Sequence, residues 1–274
     1  MKRALLISTL LLLLLGGCST VKYSARRAIE SIEQIQYLPT DTFFTKALYD
    51  PLGNTIYAMD TRSAMVYVYR DGKLANRIGG IGFENYNFQR LSDIALDADG
   101  GLLALDGMAR TLKKFNPDGQ LTSRMDLSKL TQPELVATTQ DRDLFVFDAA
   151  PQEIVCLSAM DGTEQYRFGK FQSLMPTNLS CTRDYVVAYD LVKDATQVFH
   201  LLGEPKEEIR RQIVYDNFAN PILADLASKV GVSIAFPLPA KQKPGICTFN
   251  RDHLCAVAFG GIMVYKINYQ KALP

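Results

Sequence analysis

The sequence predicts an all-β fold, a β-propeller built of four-stranded antiparallel blades. Three observations carry this. First, a short apolar strand ending in aspartate recurs as Ile56-Tyr57-Ala58-Met59-Asp60, Leu102 to Asp106, Leu144 to Asp148 and Val186 to Asp190, with the aspartates 46, 42 and 42 residues apart. A fifth match, Leu254 to Ala258, lacks the aspartate. Second, each unit continues alike: another apolar strand (Met65 to Tyr69, Leu112 to Phe115, Ile154 to Leu157, Gln197 to Leu201, Ile262 to Ile267), then a turn such as Asp71-Gly72, Asp118-Gly119 or Asp161-Gly162. Asp-Gly suits a turn because Gly takes positive φ freely and Asp bonds nearby backbone. Third, the strands are apolar on both faces rather than alternating. A sandwich with one solvated face would alternate; sheets set radially cover each other on both sides. Four strands per repeat of about 43 residues is the arithmetic of a propeller blade.

The elements before the ring read in order. Lys2 and Arg3 precede an apolar run from Ala4 to Leu15, the layout of a secretory signal. Its 12 residues fall short of the ~20 needed to span a bilayer. The segment ends Leu15-Gly16-Gly17-Cys18, which resembles the lipobox of bacterial lipoproteins. The resemblance implies residues 1–17 as a signal peptide and Cys18 as the lipid-carrying N-terminus of the mature protein. Ser19 is not the Asp that resembles an inner-membrane retention signal. The expected address is therefore the outer membrane, facing the periplasm, with the cell surface as the alternative in a monoderm host. Residues 18–40 read as a leader in which Ser24 caps a short helix with Ala28, Ile29, Ile32 and Ile35 on one stripe, stopped by Pro39. The propeller domain then occupies 41–274. Closing its ring calls for a strand from residues 35–48 to complete the last blade, since an open ring exposes sheet edges. Between Asp190 and Ala258 lie 68 residues, between one period and two. Asn220-Pro221, an apolar stripe through Val230, and Gly231 carry helix start and stop signals, so a helical insertion is expected near 220–231.

The stretch from Arg77 through Gly79-Gly80-Ile81-Gly82-Phe83, Phe88-Gln89 and Ile94 to Asp106 resembles an NHL repeat. That resemblance implies a six-bladed ring that binds partners. Five repeats are recognisable; on the strength of the resemblance six blades are favoured, with five as the alternative. Some relatives with similar blades are hydrolases or lyases.

Composition narrows the function. The chain has 30 Lys+Arg and 29 Asp+Glu. This balance offers no basic excess to attract nucleic acid. The repeated Asp60, Asp106, Asp148 and Asp190 read as turn-capping groups, because identical placement in successive repeats is what a structural role predicts. His200 and His253 lack any metal-ligand spacing, so neither metal nor cofactor is expected. Cys247 and Cys255 flank Asn250-Arg251-Asp252 and form a possible disulfide, with buried free thiols the alternative. Phe83, Tyr86 and Phe88 form a candidate partner-binding loop, with Phe88 also matching a buried position of the repeat. The expected function is a membrane-anchored, extracytoplasmic, non-enzymatic interaction or scaffold module for an envelope protein or glycan. The alternative is a metal-dependent hydrolase or lyase acting at the central channel.

Overall fold

A computed structural model of the chain describes residues 27–141, 143–170, 175–223, 232–233 and 245–271. The signal, Cys18 and most of the leader lie outside these residues. So does 224–231 of the expected insertion.

The first strand, β1 (Ile29–Pro39), precedes the ring. Blade one follows as β2–β5: Lys46–Asp50, Thr55–Asp60, Met65–Arg70 and Lys73–Gly79. Blade two is β6–β9: Leu91–Leu96, Leu102–Asp106, Thr111–Phe115 and Leu121–Asp126. Blade three is β10–β13: Pro133–Thr138, Asp143–Asp148, Glu153–Ser158 and Glu164–Phe168. Blade four is β14–β17: Asn178–Cys181, Tyr185–Asp190, Ala195–His200 and Pro205–Ile209. A three-stranded sheet comes next, β18–β20: Ile213–Tyr215, Pro221–Leu223 and Val232–Ser233. Blade five takes β21–β23 (Cys247–Asn250, His253–Ala258, Gly261–Tyr269) and recruits β1 as its outermost strand.

The first strand of each sheet lies nearest the axis, and these inner strands neighbour one another around the ring. Six apolar clusters fill the six gaps between adjacent sheets. Leu48, Val66 and Ile94 belong to the cluster joining blades one and two, whereas Leu103, Leu105 and Val136 join two and three. Phe145, Phe147 and Val186 join three and four. Tyr185 and Val198 meet Ile213 and Tyr215, while Val214 and Ile222 meet Leu254 and Met263. Val257 and Ile262 meet Ala47 and Ile56, which closes the circle. This is the burial argument made concrete. The second strands β3 and β15 are buried at every residue, because each packs on neighbours through both faces. The outermost β5 (KLANRIG) is exposed over its first five residues and is correspondingly polar.

Three expectations about the ring are corrected. The leader is a strand, not a helix: β1 runs antiparallel to β23 from Ile29 opposite Tyr269 to Pro39 opposite Gly261. The helical stripe lost to tertiary pairing, since a helix here would leave the long edge of β23 open. Ile29 and Ile32 still reach the core, packing on the cluster beside blade five. Two bulges in β1 adjust its pairing on the way. The described start of the expected helix is also a strand, with Pro221 at its first position opposite Tyr215. Finally, among the described residues the four-stranded blades number five, not six. The place between blades four and five is held by the three-stranded sheet, whose last pairing is parallel. No described residue is helical, and no helix among them is long and apolar enough to cross a membrane.

Candidate functional site

An inner strand has one edge with no strand partner, and its N–H and C=O groups must be satisfied otherwise. Side chains of neighbouring blades do this. Thr138 donates to the Leu96 carbonyl at 2.7 Å. Thr248 donates to the Ala47 carbonyl at 2.7 Å, and Asn250 to the Tyr49 carbonyl at 3.0 Å. Deepest lies an ion pair. Lys46 Nζ on blade one donates to Asp93 Oδ1 on blade two at 2.8 Å, with side chains 3% and 2% exposed. Asp93 Oδ2 accepts the Val136 amide of blade three at 2.9 Å. One carboxylate thus links three blades across the channel. Burial pushes the Asp93 carboxyl above its usual range, and the Lys46 ammonium and these hydrogen bonds oppose the shift.

Beyond this pair the channel opens into a pocket of about 100 Å³, small beside the ~300–1,000 Å³ of typical small-molecule sites. Five inner strands (β2, β6, β10, β14 and β21) contribute to it, together with Asn217 in the turn after β18. Its rim is formed by the turns after them and includes Asp50, Asp97, Gln140, Asn217, Asn250 and Arg251. Both rim aspartates have partners. Asp50 accepts the Leu52 amide at 3.2 Å; Asp97 accepts the Ala98 amide at 2.7 Å and pairs with Lys114. Neither histidine lines the pocket. His253 Nδ1 lies 2.7 Å from Asp252, the ring stands against Tyr49 at 5.1 Å, and burial lowers its pKa. His200 ends β16, exposed, beside Tyr185 at 5.4 Å. Among the described residues no group of three or more His, Cys, Asp or Glu is placed to hold a metal ion.

The repeated aspartates sit at the opposite end of the channel, each buried at the end of a second strand. Asp106 accepts the amides of Gln89 and Arg90 at 2.9 and 3.1 Å, and that of Ala109 at 3.1 Å. Asp148 accepts those of Thr131 and Gln132 at 3.0 and 2.6 Å, and Asp190 those of Met175, Val192 and Lys193 at 2.9–3.0 Å. Asp60 accepts the Arg62 amide at 3.0 Å and the Ser63 hydroxyl at 2.8 Å. Asp106 and Asp190 each clamp the chain entering the blade to the turn leaving the second strand, and Asp148 holds the entering chain to the end of its second strand. Their carboxylates are occupied by this work.

The loop after blade one divides its aromatic residues. Gly79 and Gly80 have φ of 93° and 108°, and the Phe88 amide donates to the Gly80 carbonyl at 2.9 Å. Phe88 is buried against Phe115, 6.2 Å between ring centroids, with Lys113 Nζ 4.8 Å from its centroid. It therefore plugs the fold and is not available for binding. Phe83 and Tyr86 at the tip are 90% and 58% exposed. They have company that the sequence reading missed. The connections between blades also expose Phe43, Ile81 and Met175, and the turns after the second strands expose Met108, Leu191, Val192 and Phe259. All these segments lie at one end of the channel, the loop face, opposite the pocket. Of the fifteen large apolar side chains exposed among the described residues, nine are on that face. The signal was available in the repeat register, which assigns each turn to one end or the other.

The cysteine expectation fails on register. Cys247 stands opposite Ala256 and Cys255 opposite Thr248, so the two thiols point to opposite faces of blade five, one into each flanking cluster. Both are free and buried, and burial raises their pKa values.

The fold has solved counterparts. A catalytically inactive virginiamycin B lyase from Staphylococcus aureus with quinupristin is similar at a TM-score of 0.56 and 9% identity, covering 84% of this chain and 83% of that one. A streptogramin B lyase is similar at 0.57 and 10%, covering 87% and 98%. The Swd1 β-propeller domain from Myceliophteria thermophila is similar at 0.56 and 9%, covering 87% and 100%. At such identities the likeness establishes the β-propeller fold and nothing of activity. No protein-family model and no curated protein matches the chain.

Proposed function

We propose that the protein is a lipid-anchored β-propeller of the cell envelope, held at Cys18, that works as a non-enzymatic interaction module for an envelope partner. The observation that carries this reading is the concentration of exposed Phe, Tyr, Met and aliphatic side chains on the loop face. Contacts of that kind anchor protein interfaces, where aromatic residues and Met are enriched, and nothing within the described fold requires their exposure. The channel supports the same reading. It is closed by a satisfied ion pair, its pocket is small, and its rim aspartates already have partners. The outer membrane, periplasmic side, is the expected location, following the lipobox-like segment and Ser19.

The test is affinity purification of the full chain from envelopes in mild detergent, with mass spectrometry of its N-terminus. Recovery of one stoichiometric envelope protein with a triacylated or diacylated Cys18 supports the reading. An unmodified Cys18 removes the anchor. Absence of any partner, together with turnover of a small molecule lost on altering the pocket rim, replaces the module with an enzyme.

A further inference from the structure

Charge is segregated between the two ends of the propeller. In the connecting segments of the loop face the exposed cations are Arg62, Arg110, Lys129, Lys170, Lys193 and Arg210, against the exposed acids Asp41, Glu84 and, at the end of β9, Asp126. At the pocket face the balance reverses. Its described turns expose Asp71, Asp99, Asp118, Asp141, Asp161 and Asp184 as well as Glu204, against Arg183 and Arg251, and the adjoining strand and chain ends add Glu30 against Arg27, Lys73 and Lys271. The chain's overall charge of +1 conceals this asymmetry. The nine exposed apolar side chains therefore stand on a basic ground. A second feature orients the molecule. β1 begins at Ile29 opposite Tyr269, the far end of β23 from the Phe259-Gly260 turn. The N-terminal segment consequently joins the ring at the acidic pocket face.

We infer that the loop face docks an acidic protein surface bearing apolar anchors. This deepens the interaction-module reading and rests on it. Apolar side chains supply the buried centre of such an interface, while a ring of cations steers an anionic partner and rejects a basic one. A partner of this chemistry fits better than a lipid surface, because a tether rooted at the opposite end leaves the loop face directed away from the bilayer. It also fits better than a second copy in the same orientation, whose loop face would present like charge.

The experiment places a photo-crosslinking amino acid singly at Phe83, Met108 and Val192 on the loop face, and at Asp161 and Leu202 on the pocket face, in the full lipidated chain in intact cells. The inference expects loop-face positions to crosslink one envelope protein through peptides rich in Asp and Glu. The yield should drop about tenfold in a Lys129→Glu/Lys170→Glu/Lys193→Glu variant, as expected when like charges are opposed across an interface. The side-chain ammonium of none of these lysines makes a described hydrogen bond, and circular dichroism confirms that the variant folds; Phe83→Ser supplies an uncharged second test. Crosslinks to a protein from the pocket face alone overturn the inference and leave the module reading standing. Loop-face crosslinks to lipid, to a second copy or to a basic peptide also overturn it. Absence of protein crosslinks from both faces ends both readings.

Discussion

Removing Lys46 while keeping Asp93 isolates the contribution of the channel pair. The two side chains are 3% and 2% exposed and 2.8 Å apart. Taking one partner from such a pair leaves an uncompensated buried charge, at a cost of about 3–5 kcal/mol. For a domain of this size that is a fall in melting temperature of roughly 8–15 °C. Lys46→Met should show this loss. Lys46→Met/Asp93→Asn should recover most of it and lie within about 1–2 kcal/mol of the parent, since replacing a whole buried pair is often neutral. Asn retains an oxygen to accept the Val136 amide that now bonds Asp93. The penalty of Lys46→Met should also depend on pH. Burial already raises the Asp93 carboxyl, and loss of the ammonium raises it further. The native state then holds a proton that the unfolded state has released, so stability declines as pH rises above the unfolded value of about 4 toward the raised folded value. The penalty is thus smaller at pH 5 than at pH 8. Urea unfolding of a soluble Cys18→Ser mature chain, followed by circular dichroism because the sequence has no Trp, measures all three forms. Equal losses in the single and double variants, independent of pH, would refute the reasoning.

Other outcomes follow from packing and linkage. Gly79→Ala should destabilise by about 3 kcal/mol through overpacking and backbone strain, because the added Cβ would meet Phe88 at 2.3 Å and φ is +93°; a midpoint shift in urea reads it. His253 is buried and its pKa is lowered, so its contribution is complete above about pH 6.5 and is lost as pH falls below that toward the folded value. His253→Gln should flatten the stability profile between pH 7 and 5. Deleting residues 18–39 removes β1 and exposes the outer edge of β23; the product should aggregate or fail to unfold cooperatively, and a separately added peptide of residues 27–40 should partly restore it.

The ring was legible because its cause is written locally. Both-face burial made the middles of β3, β7, β11 and β15 apolar, and the aspartate closing each fixed the period. Phe88 likewise showed its buried place in the repeat. What escaped was set by distant partners. β1 reads as a helix alone and becomes a strand only against β23, at the other end of the chain. The weak repeat around 213–233 carries few of the period's marks, so its three-stranded sheet was not foreseen as such. The spacing of Cys247 and Cys255 around Asn250-Arg251-Asp252 suits a bridge, but register puts them on opposite faces; one residue of register decides this. Lys46 and Asp93 meet only when blades one and two are set side by side. The loop face was visible only in Phe83 and Tyr86, since Phe43, Met108, Val192 and Phe259 are scattered in sequence and gathered by the ring.

Amide hydrogen exchange on the full chain, with and without the partner recovered from envelopes, tests most directly whether the propeller works through its loop face. Slowed exchange at residues 80–87 and 191–193, with 97–101 and 251–252 unchanged, is the predicted result. Protection confined to the turns around the pocket would contradict it.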